Sequence, residues 1–147
     1  MPPSVIGGVK IGVQSYTFRA FITIDKLIEA IQSVGLSHVE LWDGHLNPMK
    51  TSEDQFKATR KKFDDAGITV GAYCVNFPMG ASDEYLDRGY VGALLLGANV
   101  MTASVQKPTV PRLDQWCQKY KIKLGLHNHW FGDKWFKGDK SKEVRVT

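Results

Sequence analysis

Apolar residues in this chain gather into short runs separated by longer stretches of helical periodicity. Runs rich in Val, Ile, Leu or Tyr cover residues 10–16, 38–42, 68–75, 98–105 and 122–127. Each is short enough for a buried strand. The third, Ile-Thr-Val-Gly-Ala-Tyr-Cys-Val, is almost continuously apolar, as in a strand covered on both faces. Between the runs the period lengthens. Ile24, Leu27, Ile28, Ile31 and Val34 recur at i, i+3, i+4 and i+7, with Thr23 placed as an N-cap. Ser52 and Gln55 have capping-box spacing, ahead of the stripe Phe56, Thr59, Phe63 and Ala66. Ser82 or Asp83 opens a third helix toward Leu96, weakened by Gly89 and Gly92. A fourth follows Thr109, with Pro111 in its first turn and a stripe of Leu113, Trp116, Cys117 and Tyr120.

Gly35, Gly67 and Gly97 each stand between a helical stretch and the next strand-like run. A left-handed C-cap favours glycine there. Helix, glycine, strand, repeated about every 30 residues, is the pattern of βα units. An open doubly wound sheet would show a phosphate-binding glycine fingerprint after its first strand. Here that place holds Gln14-Ser15-Tyr16-Thr17-Phe18-Arg19. In a barrel, polar groups at the C-terminal strand ends face the site. Those ends read Gln14/Tyr16, Glu40/Trp42/Asp43, Asn76, Ser104/Gln106 and His127/Asn128/His129. The expected fold is therefore α/β, an incomplete TIM-type barrel of about five βα units, since eight take about 250 residues. Residues 1–147 are expected to form a single N-terminal part of such a barrel, with an ill-defined tail from about residue 133.

Composition narrows the class. Hydrophobic residues at 43%, charged at 23% and aromatic at 11% exclude a disordered tail, collagen and a coiled coil. No apolar run is long enough to span a membrane. The net charge of +4 rests largely on Lys134, Lys137, Lys140, Lys142 and Arg145, a solvated tail, so no nucleic-acid partner is expected. Cys74 and Cys117 make neither a disulfide framework nor a zinc pattern, and both are expected as reduced, buried thiols. Residues 1–9 lack the regions of a secretory leader, so the cytoplasm is the default compartment, a leader lost ahead of Met1 being left open.

Candidate chemistry sits at the strand ends. Glu40 closes an apolar strand, where a carboxylate is costly unless paired or functional. It reads either as a surface charge or as the polar floor of a sugar pocket. His45 follows in the loop, as a solvated or a pocket residue. In Leu126-His127-Asn128-His129-Trp130, His127 and His129 point to one side of a regular strand, where two imidazoles can ligate a divalent metal. The alternative is one hydrogen-bonded and one exposed histidine. Trp130, Phe131, Trp135 and Phe136 crowd the next loop, as sugar-stacking groups, a lid or core.

Three segments carry a resemblance: Ile11-Gly12-Val13-Gln14-Ser15-Tyr16-Thr17-Phe18-Arg19, Val34-Gly35-Leu36-Ser37-His38-Val39-Glu40-Leu41-Trp42, and Leu124-Gly125-Leu126-His127-Asn128-His129. In order and at the right strands, they resemble the sugar phosphate isomerase/epimerase family, which has the xylose-isomerase-like barrel. The resemblance extends to about Trp135. It implies a divalent metal (Mn, Co, Mg or Zn), held by a carboxylate on the fifth strand, an Asp and a His on the next two, and a Glu on the eighth. It implies proton abstraction through an enediolate, with the metal as Lewis acid. His127 stands where the fifth-strand motif often has Glu, as in branches of the family that carry His-Asn-His.

The resemblance thus makes His127 a metal ligand and His129 the group orienting it or the substrate. It makes Glu40 a pocket floor, and Trp42, His45 and Trp130 pocket wall. No catalytic residue is assigned. With so few ligands, metal binding by this chain alone is expected to be weak or absent. The partner is a small carbohydrate. The alternative is a non-catalytic half-barrel that binds sugar or assembles with another chain. A DNA-repair nuclease, which shares the fold, is a weaker third reading. An unclosed sheet leaves edges at 10–16 and 122–127 and a concave face expected to hold Val13, Val39, Tyr73 and Leu126. A homo-oligomer or aggregate through those edges follows.

Overall fold

The computed structural model describes residues 3–78, 80–105 and 109–127. Strands β1 (Val5–Ile6) and β2 (Val9–Lys10) form an antiparallel hairpin. The main sheet follows: β3 (Val13–Gln14), β4 (His38–Trp42), β5 (Thr69–Cys74), β6 (Val100–Ala103) and β7 (Lys123–Leu126). Its strands are all parallel and lie in chain order, β3-β4-β5-β6-β7. Helices α1 (Ile24–Ser33), α2 (Glu53–Asp65), α3 (Asp83–Leu95) and α4 (Val110–Tyr120) form the crossovers. Five parallel strands in sequential order with a helix in each connection are a partial TIM-type barrel. Among the described residues, β3 and β7 are its two edges.

The helix signals hold in detail. Thr23 caps α1, accepting from the Lys26 N–H. Ser52 and Gln55 close a reciprocal capping box on α2, at 3.2 and 2.8 Å. Ser82 caps α3 through the Tyr85 N–H. Gly35, Gly67 and Gly97 all take left-handed φ, between +71° and +75°. Gly89 and Gly92 do not break α3, because they serve its packing. A Cβ on Gly89 would lie 2.9 Å from the Phe77 ring, and one on Gly92 2.7 Å from the Phe56 ring. The helix lies this close to its neighbours only where side chains are absent.

The start of the chain differs from its reading as one strand over 10–16. Gly7 and Gly8, at φ +57° and +80°, turn the chain so that Lys10 pairs back with Val5. The Ile11 N–H then bonds the Ser4 carbonyl at 2.8 Å. Only Val13–Gln14 joins the sheet, and Ser15–Phe18 winds into a 3-10 turn.

Burial alternates along the strands. In β4, Val39 and Leu41 are buried while His38, Glu40 and Trp42 are half-buried. Val39, Leu41, Val70, Tyr73, Met101 and Ala103 join Leu27, Ile31, Phe56, Phe63, Leu86 and Leu113 from the helices in one core. That places Val39 and Tyr73 under the helices, and Val13 and Leu126 pack against the same cluster. All four therefore pack with the helix-side core, although Val13 and Val39 also border a hollow on the other face. In βα units the helices claim the apolar alternate positions, and the other set is left for the barrel interior. Cys74 is buried as expected, but Cys117 is only half-buried, with its sulfur 3.2 Å from the Tyr90 hydroxyl; both thiols are free. No helix among the described residues is long and apolar enough to cross a membrane.

Candidate functional site

The face of the sheet turned away from the helices is polar at its centre. Glu40 Oε1 accepts from Gln14 Nε2 at 2.8 Å and from Thr102 Oγ1 at 2.6 Å. The carboxylate thus ties β3 to β6 across β5. Two local features allow this. A bulge between Val39 and Glu40 shifts the register so that Glu40 lies opposite Ala72, and Thr102 pairs with Cys74. The small Ala72 side chain leaves room for the carboxylate to pass over β5. The Cys74 thiol lies against Thr102 and Glu40, and burial pushes its pKa up to about 11. It is protonated at neutral pH and unsuited as a nucleophile. A hollow of about 280 Å³ on this face is lined by Gly12, Gln14, His38, Glu40, Gly71 and Ala72, among others.

Above the ladder, the loops after β3 and β4 are clamped together. The buried Ser15 hydroxyl accepts the Trp42 N–H at 2.8 Å and lies 3.0 Å from His45 Nδ1. The Trp42 ring meets Tyr16 and His45 edge-on, at centroid distances of 4.9 and 5.5 Å. The indole lies over Gly44, where a Cβ would come within 2.2 Å of its ring carbons. Arg19 lies over the Tyr16 ring at 4.8 Å. Burial lowers the His45 pKa, and the Phe18 and Phe21 carbonyls pull it the other way. Its Nε2 is buried, and among the described residues nothing closes a hydrogen bond to it.

Asp43, one residue beyond β4, is buried and faces Asn76 at the end of β5. The Asn76 N–H donates to Oδ2 at 3.0 Å, and Asn76 Nδ2 lies 3.5 Å from Oδ1. Burial raises the Asp43 pKa, and the Asn76 bonds oppose the rise.

The structure therefore brings Glu40, Trp42 and His45 to one end of the sheet. His127 follows β7 at the same end, exposed, with its N–H on the Ala103 carbonyl at 2.9 Å. His129 and Trp130 lie outside the described residues. Gln14, Asp43 and Asn76, named as polar strand ends from sequence, belong to this end, and Ser15 and Thr102 join them without having been singled out. Their signal was only their place at strand ends. Among the described residues, no three His, Cys, Asp or Glu converge as a metal site. A catalytic metal takes about three protein ligands. The described residues do not fit such a centre. A larger hollow of about 480 Å³ lies between α2 and α3, away from the strand ends. Its cations are taken up locally: Lys57 by Glu53 and Asp54, Arg60 by Asp64, Lys61 by Asp65.

No protein-family model and no curated protein matches the sequence. Solved structures do match in fold. An uncharacterized protein from Parabacteroides distasonis aligns with a TM-score of 0.69 and 22% identity, over 80% of this chain and 52% of its own. A probable 3-DHS dehydratase, AsbF, involved in petrobactin synthesis in Bacillus anthracis, aligns with a TM-score of 0.65 and 12% identity, over 82% of this chain and 53% of its own. The chain spans about half the length of these structures. Fold and strand order together define the class: a partial TIM-type barrel.

Proposed function

We propose that the chain forms the carbohydrate-facing part of a xylose-isomerase-like barrel enzyme of the sugar isomerase/epimerase type. One observation carries this reading: a carboxylate fixed by Gln14 and Thr102, beneath an aromatic rim of Trp42 and Tyr16. Sugars are held by fixed hydrogen-bonding groups and by flat aromatic faces. The dehydratase description of AsbF adds an enzyme on the same fold, which by itself does not transfer an activity. In this reading Glu40 is the acceptor for substrate hydroxyls and Trp42 the wall. Proton transfer at an enediolate is assigned to no described residue. His127, which follows β7, borders the same end of the sheet.

The test is titration of the chain with D-fructose and D-xylulose, followed by tryptophan fluorescence. Binding weakened about tenfold in Trp42→Ala, a loss of ~1.4 kcal/mol, is the expected result. Equal affinity in the variant removes Trp42 from the site. Interconversion of ketoses by the chain loaded with Mn²⁺ or Co²⁺, and lost in His127→Ala, would place catalysis here and overturn the purely binding role.

A second reading, a non-catalytic half-barrel that assembles with another chain, is favoured by β3 and β7 standing as sheet edges among the described residues. It predicts concentration-dependent association in light scattering. A compact monomer at high concentration contradicts it.

A further inference from the structure

We propose that His45 is a positioning residue: held as a neutral imidazole by Ser15, it fixes the Trp42 ring at the rim, and its protonation frees that ring. The inference rests on Trp42 being the sugar-facing wall, but its test uses no sugar, so the two can fail separately.

The hydrogen-bond inventory sets the tautomer. The Trp42 N–H can only donate, so the Ser15 oxygen accepts it at 2.8 Å. Ser15 is fully buried, and its own proton needs an acceptor. His45 Nδ1, at 3.0 Å, supplies one. With Nδ1 accepting, the ring proton sits on Nε2. That atom is buried facing the Phe18 and Phe21 carbonyls, with no hydrogen bond to it closed in good geometry among the described residues. A second ring proton, on Nδ1, would face the Ser15 hydroxyl proton. The hydroxyl would have to turn away and lose its acceptor. The clamp therefore selects one neutral form.

The clamp also bears directly on Trp42. Its backbone N–H is held by Ser15 and its indole abuts the imidazole edge-on at 5.5 Å, while Gly44 leaves the space the ring occupies. The groups facing the imidazole are the Ser15 hydroxyl, the Trp42 indole and the carbonyls of Phe18 and Phe21. Neighbouring charges are turned elsewhere. Arg19 lies over Tyr16, and the Asp43 carboxylate takes the Asn76 donors. No charged side chain among the described residues is paired with His45 to compensate an imidazolium.

The experiment is NMR on the whole chain across pH 4.5–8. Long-range ¹H–¹⁵N spectra report the His45 tautomer, and the indole Nε1–H peak, assigned with Trp42→Phe, reports the ring. The expected result is an Nε2–H imidazole that titrates below pH 6.5, with the Trp42 peak shifting over the same range. In His45→Gln that shift disappears, while the Trp116 peak, on α4, keeps its position. An Nδ1–H tautomer, a His45 midpoint at or above 6.5, or a Trp42 peak indifferent to the titration overturns the proposal. The wild-type spectra decide the matter even where the variant does not fold.

Discussion

Leu41 and Glu40 are neighbours on one strand, yet they belong to different parts of the molecule. Leu41 is fully buried under the helices, in a core that joins β4, β5 and β6 to α1, α2 and α3. Glu40 points the other way, into a hydrogen-bonded ladder on the open face. One face of the sheet holds the fold together, and the other carries a polar ladder. The difference follows from strand geometry, because alternate side chains leave a strand on opposite sides. It teaches where substitutions should hurt stability and where they should hurt binding.

The sharpest way to break this division is on the helix side. Leu41→Ala should cost ~2–5 kcal/mol of stability, through lost burial and a cavity left in the core. Urea unfolding with unchanged slope would measure it. Glu40→Gln, one residue away, should change stability by no more than about 1 kcal/mol, because the carboxylate is half-exposed and an amide oxygen still accepts. It should weaken sugar binding instead. If Glu40→Gln proved the more destabilising of the two, the open face would be part of the structural core.

Acid sharpens the comparison through two groups of opposite sign. His45 has a lowered pKa in the fold, so the unfolded chain binds more protons at this site below pH 6.5. Its contribution is full above 6.5 and is lost as the pH falls below that value. Asp43 has a raised pKa in the fold. Its contribution is full below pH 3.8 and is lost as the pH rises through the folded value. Asp43→Asn should therefore stabilise the chain at pH 7 and give no gain below 3.8, and melting temperatures across pH would show it. The smallest effect belongs to the outer surface. Lys61→Ala breaks an exposed pair with Asp65 and should change stability by less than about 0.5 kcal/mol.

Local signals were legible in the sequence, and distant ones were not. The caps Thr23, Ser52 and Ser82 act within three residues of themselves, so spacing reveals them. The glycine C-caps are equally local. Glu40 and Trp42 could be singled out because they end a strand. The partners of Glu40 could not, since Gln14 and Thr102 lie 26 and 62 residues away. Meeting them depends on strand register, and the bulge at Val39/Glu40 alters that register. The same limit explains the misplaced concave face. Apolar alternation shows that a strand has two sides, but which side meets the helices is settled only by packing. The short first strand was hidden for another reason: Ser15 bonds the Trp42 N–H with its side chain, and the chain winds into a turn.

The most direct measurement is a map of sugar binding over both faces. Amide ¹H–¹⁵N spectra of the chain would be followed while D-fructose is added to tens of millimolar. The account predicts that the shifts gather at Gln14, Glu40, Trp42 and Thr102 and fade in Glu40→Gln. Shifts centred instead on Lys57, Arg60 and Leu94 in the hollow between α2 and α3, or none at the strand ends, would contradict it.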